Sequence, residues 1–408
     1  MMRANDCDIL IAGGGLVGLS LGLALSGSGL RVRLVDQAPP ASAERPADER
    51  HLALNEVSCR ILTQLGILPA LGAAAAPIRA IHVSSAGEFG VTHWSAAESG
   101  RERFGVVVPA RRLLQELQQA VLARSDVELI APASVRDVRP AADSLSAQVD
   151  AGSGQRDSVS ARLLVIADGA DSALRTAAGI GAQRHDYQRS AICCALTPER
   201  DHQGTAYERF TRSGPVALLP QAQGRCGAIF VVETAEAGRL MGLPDSEFLA
   251  ALQQAFGYRL GRLREAGLRV SYPLRRMLAE RLIAPRRVLI GNAAQAVHPV
   301  GAQGFNLGLR DAAALAQALL QNHRLGADPG APALLDGYAA ARQADRSATT
   351  GLSHALALGT GMHSPAAGWL RSLALIAADR IEPLAEHLLL GGMGYRGNTP
   401  ALARGAHP

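Results

Sequence analysis

Residues 7–36, CDILIAGGGLVGLSLGLALSGSGLRVRLVD, constrain the fold more than any other stretch of the chain. A short apolar run leads into Gly13, Gly15 and Gly18, an apolar helix-like segment follows, and a second apolar run ends at Asp36. This pattern is typical of a β-strand, a glycine turn, an α-helix and a second β-strand. A chain built on such a βαβ unit is expected to have an α/β fold.

The glycine spacing in this unit predicts dinucleotide binding. Gly13 permits the tight turn, Gly15 lets the backbone approach a pyrophosphate, and Gly18 lets the helix pack closely on the strand. The N–H groups at the helix start attract phosphate oxygens. Asp36 stands where a carboxylate accepts both hydroxyls of a ribose, which favours an unphosphorylated ribose, as in FAD or NAD.

A second strand–turn–helix pattern occurs at residues 161–175, ARLLVIADGADSALR. It places Asp168 and Gly169 in the turn. This segment is either a second part of the nucleotide-binding site or an ordinary turn in which Asp171 or Ser172 caps the helix.

A third such pattern occurs at residues 288–311, VLIGNAAQAVHPVGAQGFNLGLRD. An apolar run ends in a glycine-containing loop that is nearly free of charge, and a helix is predicted to begin near Asn306. Glycines in this loop would let the backbone approach a flat ligand, and the helix N-terminus would stabilise negative charge on a bound ring.

Composition excludes several classes of function. The 408 residues include 41 basic residues, all of them arginine, so no lysine can form a Schiff base. The net charge of +5 is not gathered into a basic run, so nucleic acid is not an expected partner. The five cysteines lack metal-ligand spacing, so no metal is expected. Without a signal-type start or a spanning apolar run, the chain is expected to be cytoplasmic, with possible membrane association.

Two kinds of pattern alternate along the chain. Strand–loop–helix patterns occupy both ends and the middle, whereas residues 181–284 consist mainly of short alternating segments typical of antiparallel strands. Residues 51–72 are predicted to be helical. The predicted organisation is a discontinuous dinucleotide-binding domain (1–75, 101–180 and 285–345), an inserted substrate domain (76–100 and 181–284) and a C-terminal helical region (346–408).

Together, the three glycine-containing segments resemble the class A flavoprotein aromatic hydroxylases over nearly the whole chain. The stretches YERFTRSGPVALLP, GRCGAIFVV, AFGYRLG and GNAAQAVHPVGAQGFNLGLRD resemble the branch of that family that acts in ubiquinone biosynthesis. GNAAQ, in place of the GDAAH of other branches, together with the ERF…GP…LP block, is most similar to its 2-polyprenyl-6-methoxyphenol hydroxylases.

The resemblance implies a para-hydroxybenzoate-hydroxylase-like α/β fold: a Rossmann-like FAD-binding domain, an inserted β-rich substrate domain and a C-terminal helical segment. FAD would be held noncovalently, and NADH or NADPH would reduce it. The implied contacts are Gly13, Gly15 and Gly18 to the pyrophosphate, Asp36 to the ribose, Arg50 and Arg111 (or its neighbour Arg112), Asp168 and Gly169 as the middle motif, Asn292 near the ribityl chain, and Gly304, Phe305 and Asn306 along the pyrimidine side of the flavin.

The implied activity is that of a FAD-dependent aromatic monooxygenase. It would hydroxylate a polyprenylated phenol with O2 through a flavin C4a-hydroperoxide, giving 2-polyprenyl-6-methoxy-1,4-benzoquinol from 2-polyprenyl-6-methoxyphenol. The alternatives are hydroxylation at another ring carbon, a non-ubiquinone aromatic substrate, a pyridine-nucleotide dehydrogenase, or an inactive subunit. Other ubiquinone-biosynthesis enzymes are possible partners in a complex.

Candidates for catalysis lie in the substrate domain and in the late loop, which is the glycine-containing loop within residues 288–311. His298 is the candidate base for the phenol, with a backbone-bonding loop histidine as the equal alternative, and Pro299 is expected to shape the wall that faces the ring. Strand alternation sends Tyr207 and Arg209 to one face and Glu208 to the other, without indicating which face meets the substrate.

The C-terminal stretch GWLRSLALIAADRIEPLAEHLLL carries an apolar stripe with Trp369, Arg371 and Arg380 near its edges. Such a stripe is typical either of a helix at a membrane surface or of a helix packed on the body of the protein.

Overall fold

The fold is known from a computed structural model, which describes residues 6–39, 49–151, 156–359, 364–397 and 399–405. Its first sheet has eight strands. Five of them, β19, β11, β1, β2 and β8, run parallel in that order, and the other three pair antiparallel at its margins. The strands, numbered along the chain, are β1 (Cys7–Ala12), β2 (Val32–Val35), β8 (Val127–Ile130), β9 (Ser134–Pro140), β10 (Leu145–Asp150), β11 (Arg156–Ile166), β18 (Ile283–Ala284) and β19 (Arg287–Leu289).

The second sheet has nine strands and is antiparallel except where β13 pairs with β5. It contains β5 (Ala80–Ser85), β6 (Val91–Ser95), β12 (Ala182–Pro198), β13 (Thr205–Phe210), β14 (Pro215–Pro220), β15 (Cys226–Glu233), β16 (Leu263–Arg264), β17 (Val270–Ala279) and β20 (Gln295–Ala296). A third, three-stranded sheet joins the two regions and consists of β3 (His51–Asn55), β7 (Gly105–Pro109) and β4 (Ala76–Ile78).

Helices pack on both of the larger sheets. They are α1 (Leu16–Leu25), α2 (Glu56–Gln64), α3 (Ile67–Leu71), α4 (Ala110–Leu122), α5 (Ala173–Ala177), α6 (Thr234–Met241), α7 (Asp245–Phe256), α8 (Gln303–Arg324), α9 (Pro332–Gly359), α10 (Pro365–Arg380) and α11 (Glu382–Gly392). Some helices, such as α1 and α4, pack on the parallel sheet, whereas α6, α7 and α10 pack on the second sheet. Among the described residues, no single helix has the length and apolar character to cross a bilayer, although α2 and the bent stretch Ile67–Ala74 meet that criterion jointly, by length and composition alone.

Close packing of α1 against α8 fixes the position of the late loop. A Cβ at Gly308 would lie 2.8 Å from the Cγ2 of Val17 and 3.0 Å from the Cα of Gly291. Both distances are below ordinary contact, so only glycine allows these backbones to approach. The start of α8, the start of α1 and the late loop therefore lie together at one edge of the sheet.

The prediction of one helix over residues 51–72 is wrong at its beginning. His51–Asn55 form a strand paired with β7, and the helix begins at Glu56 because the Asn55 side chain accepts a 3.0 Å hydrogen bond from the Ser58 N–H. Leu54 is buried in that strand, so its apolar character fits the helical spacing by coincidence. Pairing with β7 is a long-range interaction that local periodicity does not reveal.

The α1–α8 contact generates a stability prediction. Gly308→Ala should lower the free energy of unfolding by about 1–3 kcal/mol, because the added methyl group overpacks the contact. Gly337→Ala is the matched control: Gly337 lies inside α9 with open space where a Cβ would stand, so alanine there should raise stability by up to about 1 kcal/mol. Thermal and denaturant unfolding would measure both, and equal effects would contradict the packing argument.

Candidate active site

A cavity of about 850 Å³ lies at the carboxyl ends of the parallel strands, the usual ligand position in an open α/β sheet. The structure brings together there most of the residues that the sequence assigned to the cofactor. They are Gly13, Gly15, Asp36, Arg50, Asp168, Gly169, Asn292, Gly304 and Phe305.

The glycine turn forms a cradle that side chains would fill. Gly13 has a φ of +114°, and a Cβ there would lie 2.3 Å from the Ala167 carbonyl oxygen. Gly15 is the N-cap of α1, lines the cavity and leaves open space where a Cβ would stand. The open N–H groups at the start of α1 fit a pyrophosphate. Gly18 lies behind the turn, where a Cβ would be 1.9 Å from the Gly13 carbonyl oxygen, so it contributes packing and not a ligand contact.

Asp36 immediately follows β2 beside this turn. Its Oδ1 accepts a 2.7 Å hydrogen bond from the Ala38 N–H, which leaves Oδ2 directed toward Gly14. The carboxylate therefore lies at the cavity edge, in the position expected for an acceptor of ribose hydroxyls.

Asp168 supplies a test of whether the cavity fits a hydroxyl-rich cofactor. Its Oδ1 is buried without a hydrogen-bond partner among the described residues, and burial raises the pKa of this carboxyl. An unsatisfied buried oxygen costs about 1–3 kcal/mol unless a donor reaches it. Because Asp168 lines the cavity, a hydroxyl group of a bound dinucleotide is a suitable donor. The residues present therefore fit FAD.

The late loop is held in place by Asp311, which is 1% exposed. One carboxylate oxygen accepts hydrogen bonds from the Gly291 N–H at 3.1 Å and from the Gln295 Nε2 at 2.6 Å, and the other accepts one from the Arg342 Nε at 2.8 Å. The Asn292 side chain is exposed on the cavity side of this loop. The sequence indicated a cofactor loop here, but not that Gln295 and Asp311 are its supports.

The start of α8 borders the same cavity. Gly304 and Phe305 line it, whereas the Asn306 side chain is committed to the backbone: its Nδ2 donates to the Ala53 oxygen at 2.8 Å and its Oδ1 accepts from the Asn55 N–H at 3.1 Å. Asn306 thus fastens β3 to α8. It lines the second cavity and is not among the described residues that line the first, so its assignment as a flavin contact stays a prediction.

The two predicted arginines differ in position. Arg50 lines the cavity, with its guanidinium carbon 5.4 Å from the centre of the Tyr272 ring. Arg111 is exposed in the first turn of α4 and is not among the described residues that line the cavity. Its assignment as a cofactor contact stays a prediction without geometric support.

A second cavity of about 370 Å³ adjoins the first. Its walls are mostly apolar and come from the second sheet and from α9, α10 and α11. Ala53, Ile229, Pro299 and Ala302 line both cavities, so a ring in one would lie beside a ring in the other. Pro299 therefore lies on the wall that the two cavities share, and its predicted role of facing the substrate ring stays a prediction.

His298 is 2% exposed and is not among the residues that line either cavity. Its Nδ1 accepts a 3.2 Å hydrogen bond from the Val300 N–H, and its ring lies edge-on to the Tyr187 ring with centroids 5.0 Å apart. Burial, with a smaller contribution from Arg189, lowers the pKa of His298 to about 4. This geometry favours the backbone-bonding alternative over a catalytic base.

Glu208 occupies the face of β13 that looks into the second cavity. The Tyr207 ring lies on the opposite face, edge-on to the Phe256 ring with centroids 5.8 Å apart. The Glu208 carboxylate and Gly301 line the same cavity, and burial raises the pKa of Glu208 to about 7, an effect that the nearby Gly301 N–H partly offsets. Sequence alternation separated these side chains but gave no signal for which face met the cavity.

Comparison with known proteins agrees with this geometry. The family described as FAD binding domain matches residues 6–351. Ubiquinone hydroxylase UbiL of Rhodospirillum rubrum is 36% identical over 388 residues, covering 95% of this chain and 89% of UbiL. The 3-demethoxyubiquinol 3-hydroxylase of Escherichia coli is 29% identical over 398 residues, covering 96% and 100% of the two chains.

Among solved structures, p-nitrophenol 4-monooxygenase PnpA of Pseudomonas putida superposes with a TM-score of 0.78 at 18% identity, over 94% of this chain and 96% of that chain. The fold is therefore that of the flavoprotein aromatic hydroxylases, and the predicted fold class is confirmed. The chain belongs to the FAD-dependent aromatic hydroxylases of the ubiquinone-biosynthesis branch.

The unpartnered oxygen of Asp168 generates a prediction with two readouts. Asp168→Ala should weaken FAD binding at least about tenfold, because a charge-assisted hydrogen bond to a cofactor hydroxyl is worth about 1.5–3 kcal/mol. The unfolding temperature of the apoprotein should change little, because removal of the unsatisfied Oδ1 offsets the loss of the polar contacts that the carboxylate makes with Ser172 and Leu174. Fluorescence titration with FAD and unfolding of the apoprotein would measure both effects.

Asp171→Ala is the matched control for this experiment. The Asp171 carboxylate is 81% exposed and pairs with Arg184 on the surface. The Asp171→Ala variant should bind FAD with wild-type affinity. Wild-type affinity in Asp168→Ala would exclude the proposed hydrogen bond between Asp168 and a cofactor hydroxyl group.

Proposed function

We propose that this chain hydroxylates the aromatic ring of a polyprenylated phenol, converting 2-polyprenyl-6-methoxyphenol to 2-polyprenyl-6-methoxy-1,4-benzoquinol with FAD, O2 and NADH or NADPH. The observation that carries the proposal is the apolar cavity beside the cofactor cavity, with Pro299 and Ala302 on the wall common to both. The names of the relatives support a prenylated quinone precursor as substrate.

The chain's own residues bind and orient the reactants in this proposal. When bound, FAD supplies the redox and oxygen chemistry. The glycine turn and the start of α1 hold its pyrophosphate, Asp36 and Asp168 accept hydroxyl hydrogens, and the start of α8 stabilises negative charge at the pyrimidine edge. The apolar walls of the second cavity exclude water from the reacting ring.

The second cavity also suggests a path for the prenyl tail. Leu352 and Leu356 of α9 line it and are 40% and 39% exposed, so the cavity reaches the surface at this helix. A ring bound beside Pro299 would place its tail toward α9, α10 and α11. Burial of successive isoprene units along such walls would contribute most of the affinity for the substrate.

A second candidate is hydroxylation at a different carbon of the same kind of ring. The name of the Escherichia coli relative specifies a 3-hydroxylase, and that protein aligns over 96% of this chain. Chemical identification of the hydroxylated product distinguishes the two candidates.

The lipid extract of a deletion strain tests the proposed step. Loss of the gene should cause 2-polyprenyl-6-methoxyphenol to accumulate, because that compound is the proposed substrate. Mass spectrometry of the extract would detect it, and complementation with the wild-type chain should remove it. Accumulation of a ring already hydroxylated at the proposed position would instead favour the second candidate.

Contact with a lipid surface is the second part of the proposal. Exposed apolar side chains cluster on α10 and α11, near the mouth of the second cavity. We define this C-terminal apolar patch as Trp369, Leu370, Leu373, Ile376, Ile381 and Leu384. The opposite side of α10 packs on the second sheet, where the Trp94 Nε1 donates to the Ala378 oxygen at 3.1 Å. In this proposal, α10 packs on the body of the protein with one side and contacts the membrane surface with the other, so the two interpretations of the C-terminal stretch are compatible. Assembly with other ubiquinone-biosynthesis enzymes stays a prediction.

Liposome flotation tests the patch. Full-length protein should float with vesicles of phosphatidylcholine and anionic phosphatidylglycerol, and Trp369→Ser with Leu373→Ser should reduce the floating fraction several-fold, because both side chains are more than half exposed and apolar. Leu325→Ser is the matched control, since Leu325 is 83% exposed at the end of α8. Equal flotation of all variants would contradict a lipid contact at this patch.

A further inference from the structure

Glu208 is a carboxylate in an otherwise apolar setting. On the neighbouring strands, Val83 of β5 and Ala217 of β14 stand opposite it in register. Among the described residues that line the second cavity, only Glu208 and Arg396 carry charged side chains. No ion pair joins Glu208 to a described cation, and the Gly301 N–H is the donor that it faces. A carboxylate so placed is costly for folding alone.

The position of Glu208 relative to the cofactor cavity is equally specific. Gly301 belongs to the short helical turn Val300–Ala302, between Pro299 and the start of α8. Pro299 and Ala302 line both cavities, and Glu208 and Gly301 line the second cavity together with them, so the Glu208 carboxylate lies on the substrate side of their common wall. A phenol ring placed against that wall would have its hydroxyl group within reach of the carboxylate.

We propose that Glu208 is a catalytic residue that accepts the proton of the substrate's phenol hydroxyl during ring hydroxylation and then returns it. The inference rests on the proposed function, because it requires a phenol in the second cavity. A phenolate is a stronger carbon nucleophile than a phenol, so proton transfer to Glu208 would raise the rate of attack on the activated oxygen.

The proton and electron balance closes without a further reactant. The phenol O–H bond breaks and its proton joins the Glu208 carboxylate. The ring carbon forms a bond to one oxygen atom, and the other atom leaves as water after taking the proton released from that ring carbon. As the ring becomes aromatic again, Glu208 returns its proton to the original phenol oxygen. NADH or NADPH supplies two electrons and one hydrogen as hydride, water supplies one proton, and the ring supplies two electrons. The four electrons reduce O2, and the two hydrogens complete the new hydroxyl group and the water molecule.

The surroundings of Glu208 indicate how the reaction should depend on pH. Burial raises its pKa to about 7, so near neutral pH both its acid and its carboxylate forms are populated. His82 of β5 and Arg209 of β13 lie close to Glu208 along the paired strands, but their side chains alternate to the face opposite that of Glu208. Burial lowers the pKa of His82 to about 4. Arg396 lines the cavity from beyond α11, and His298 lies behind the common wall. Glu208 is therefore the cavity group expected to control the rate near pH 7.

The experiment compares wild-type protein with Glu208→Gln and with the control Glu247→Gln, which makes the same change at an exposed position of α7. A short-chain 2-prenyl-6-methoxyphenol serves as the probe, and hydroxylated product is counted per NADH or NADPH oxidised between pH 5.5 and 9. In Glu208→Gln, product formation should fall by about 100-fold or more, consumed O2 should appear as hydrogen peroxide, and the rise in rate near pH 7 should vanish.

The melting temperature of the apoprotein as a function of pH is a second measurement, and it requires neither cofactor nor turnover. A carboxyl group whose pKa is raised on folding binds more protons in the folded state between its unfolded and folded pKa values. Stability contributed by such a group is present at low pH and is lost as pH rises to about 7. The melting temperature of the Glu208→Gln apoprotein should therefore rise relative to wild type between about pH 4.5 and 7 and keep that difference at higher pH.

The outcomes separate the two proposals. If the wild-type protein oxidises NADH or NADPH but hydroxylates no prenylated phenol, the proposed function fails and the inference fails with it. If the wild type forms product while Glu208→Gln keeps its coupling and its pH profile, only the role of Glu208 is overturned. FAD titration of both variants should give wild-type affinity, because Glu208 does not line the cofactor cavity.

Discussion

The position of the late loop depends on one buried carboxylate, that of Asp311. It accepts hydrogen bonds from the backbone at Gly291, from the Gln295 amide and from the Arg342 guanidinium, so it joins the loop, α8 and α9 at a single point. Removal of one partner from a buried charge pair costs about 3–5 kcal/mol, since the remaining charge stays desolvated. Asp311 and Arg342 are both almost fully buried, and Arg342 also pairs with Asp345 at 2.8 Å, so loss of the Asp311 carboxylate would leave Arg342 with a single buried anionic partner.

Gln295 extends the same network toward the second sheet. Its Nε2 donates to Asp311, while its Oε1 accepts a 3.0 Å hydrogen bond from the Arg346 Nε. Arg346 also donates to the Ala279 and Ala294 oxygens, which lie at the end of β17 and in the loop. A carboxamide suits this place because it offers a donor and an acceptor without a charge. One structural unit is therefore formed by residues 291–295 (GNAAQ) and Asp311. Within this unit, Asn292 is the residue that lines the cofactor cavity.

Local patterns predicted the parts of this site that depend on neighbouring residues. Spacing alone predicted the glycine turn and Asp36 as cofactor contacts, because each requirement is satisfied within a few residues of the strand that carries it. For Asp168 and Gly169, spacing left an ordinary helix-capping turn as an alternative, and only the family resemblance assigned them to the cofactor. The partners of Asn306 and Asp311 could not be predicted in this way. Asn306 donates to the Ala53 oxygen, which lies more than 250 positions away along the chain, and the residues next to Asn306 in sequence give no indication of this hydrogen bond. The strand at His51–Asn55 was missed for the same reason.

His298 and Glu208 show how burial changes the chemical meaning of a residue type. A histidine in a cofactor loop is a reasonable base by sequence, yet here the Val300 N–H occupies its Nδ1, and burial disfavours its charged form. A glutamate in a strand is ordinarily a surface residue, yet alternation and sheet pairing turn Glu208 inward, where the apolar walls weaken its acidity. The same desolvation makes the histidine a weaker base and the carboxylate a stronger one. In the proposed reaction, the acceptor of the phenol proton is therefore Glu208 on the second sheet and not His298 in the late loop.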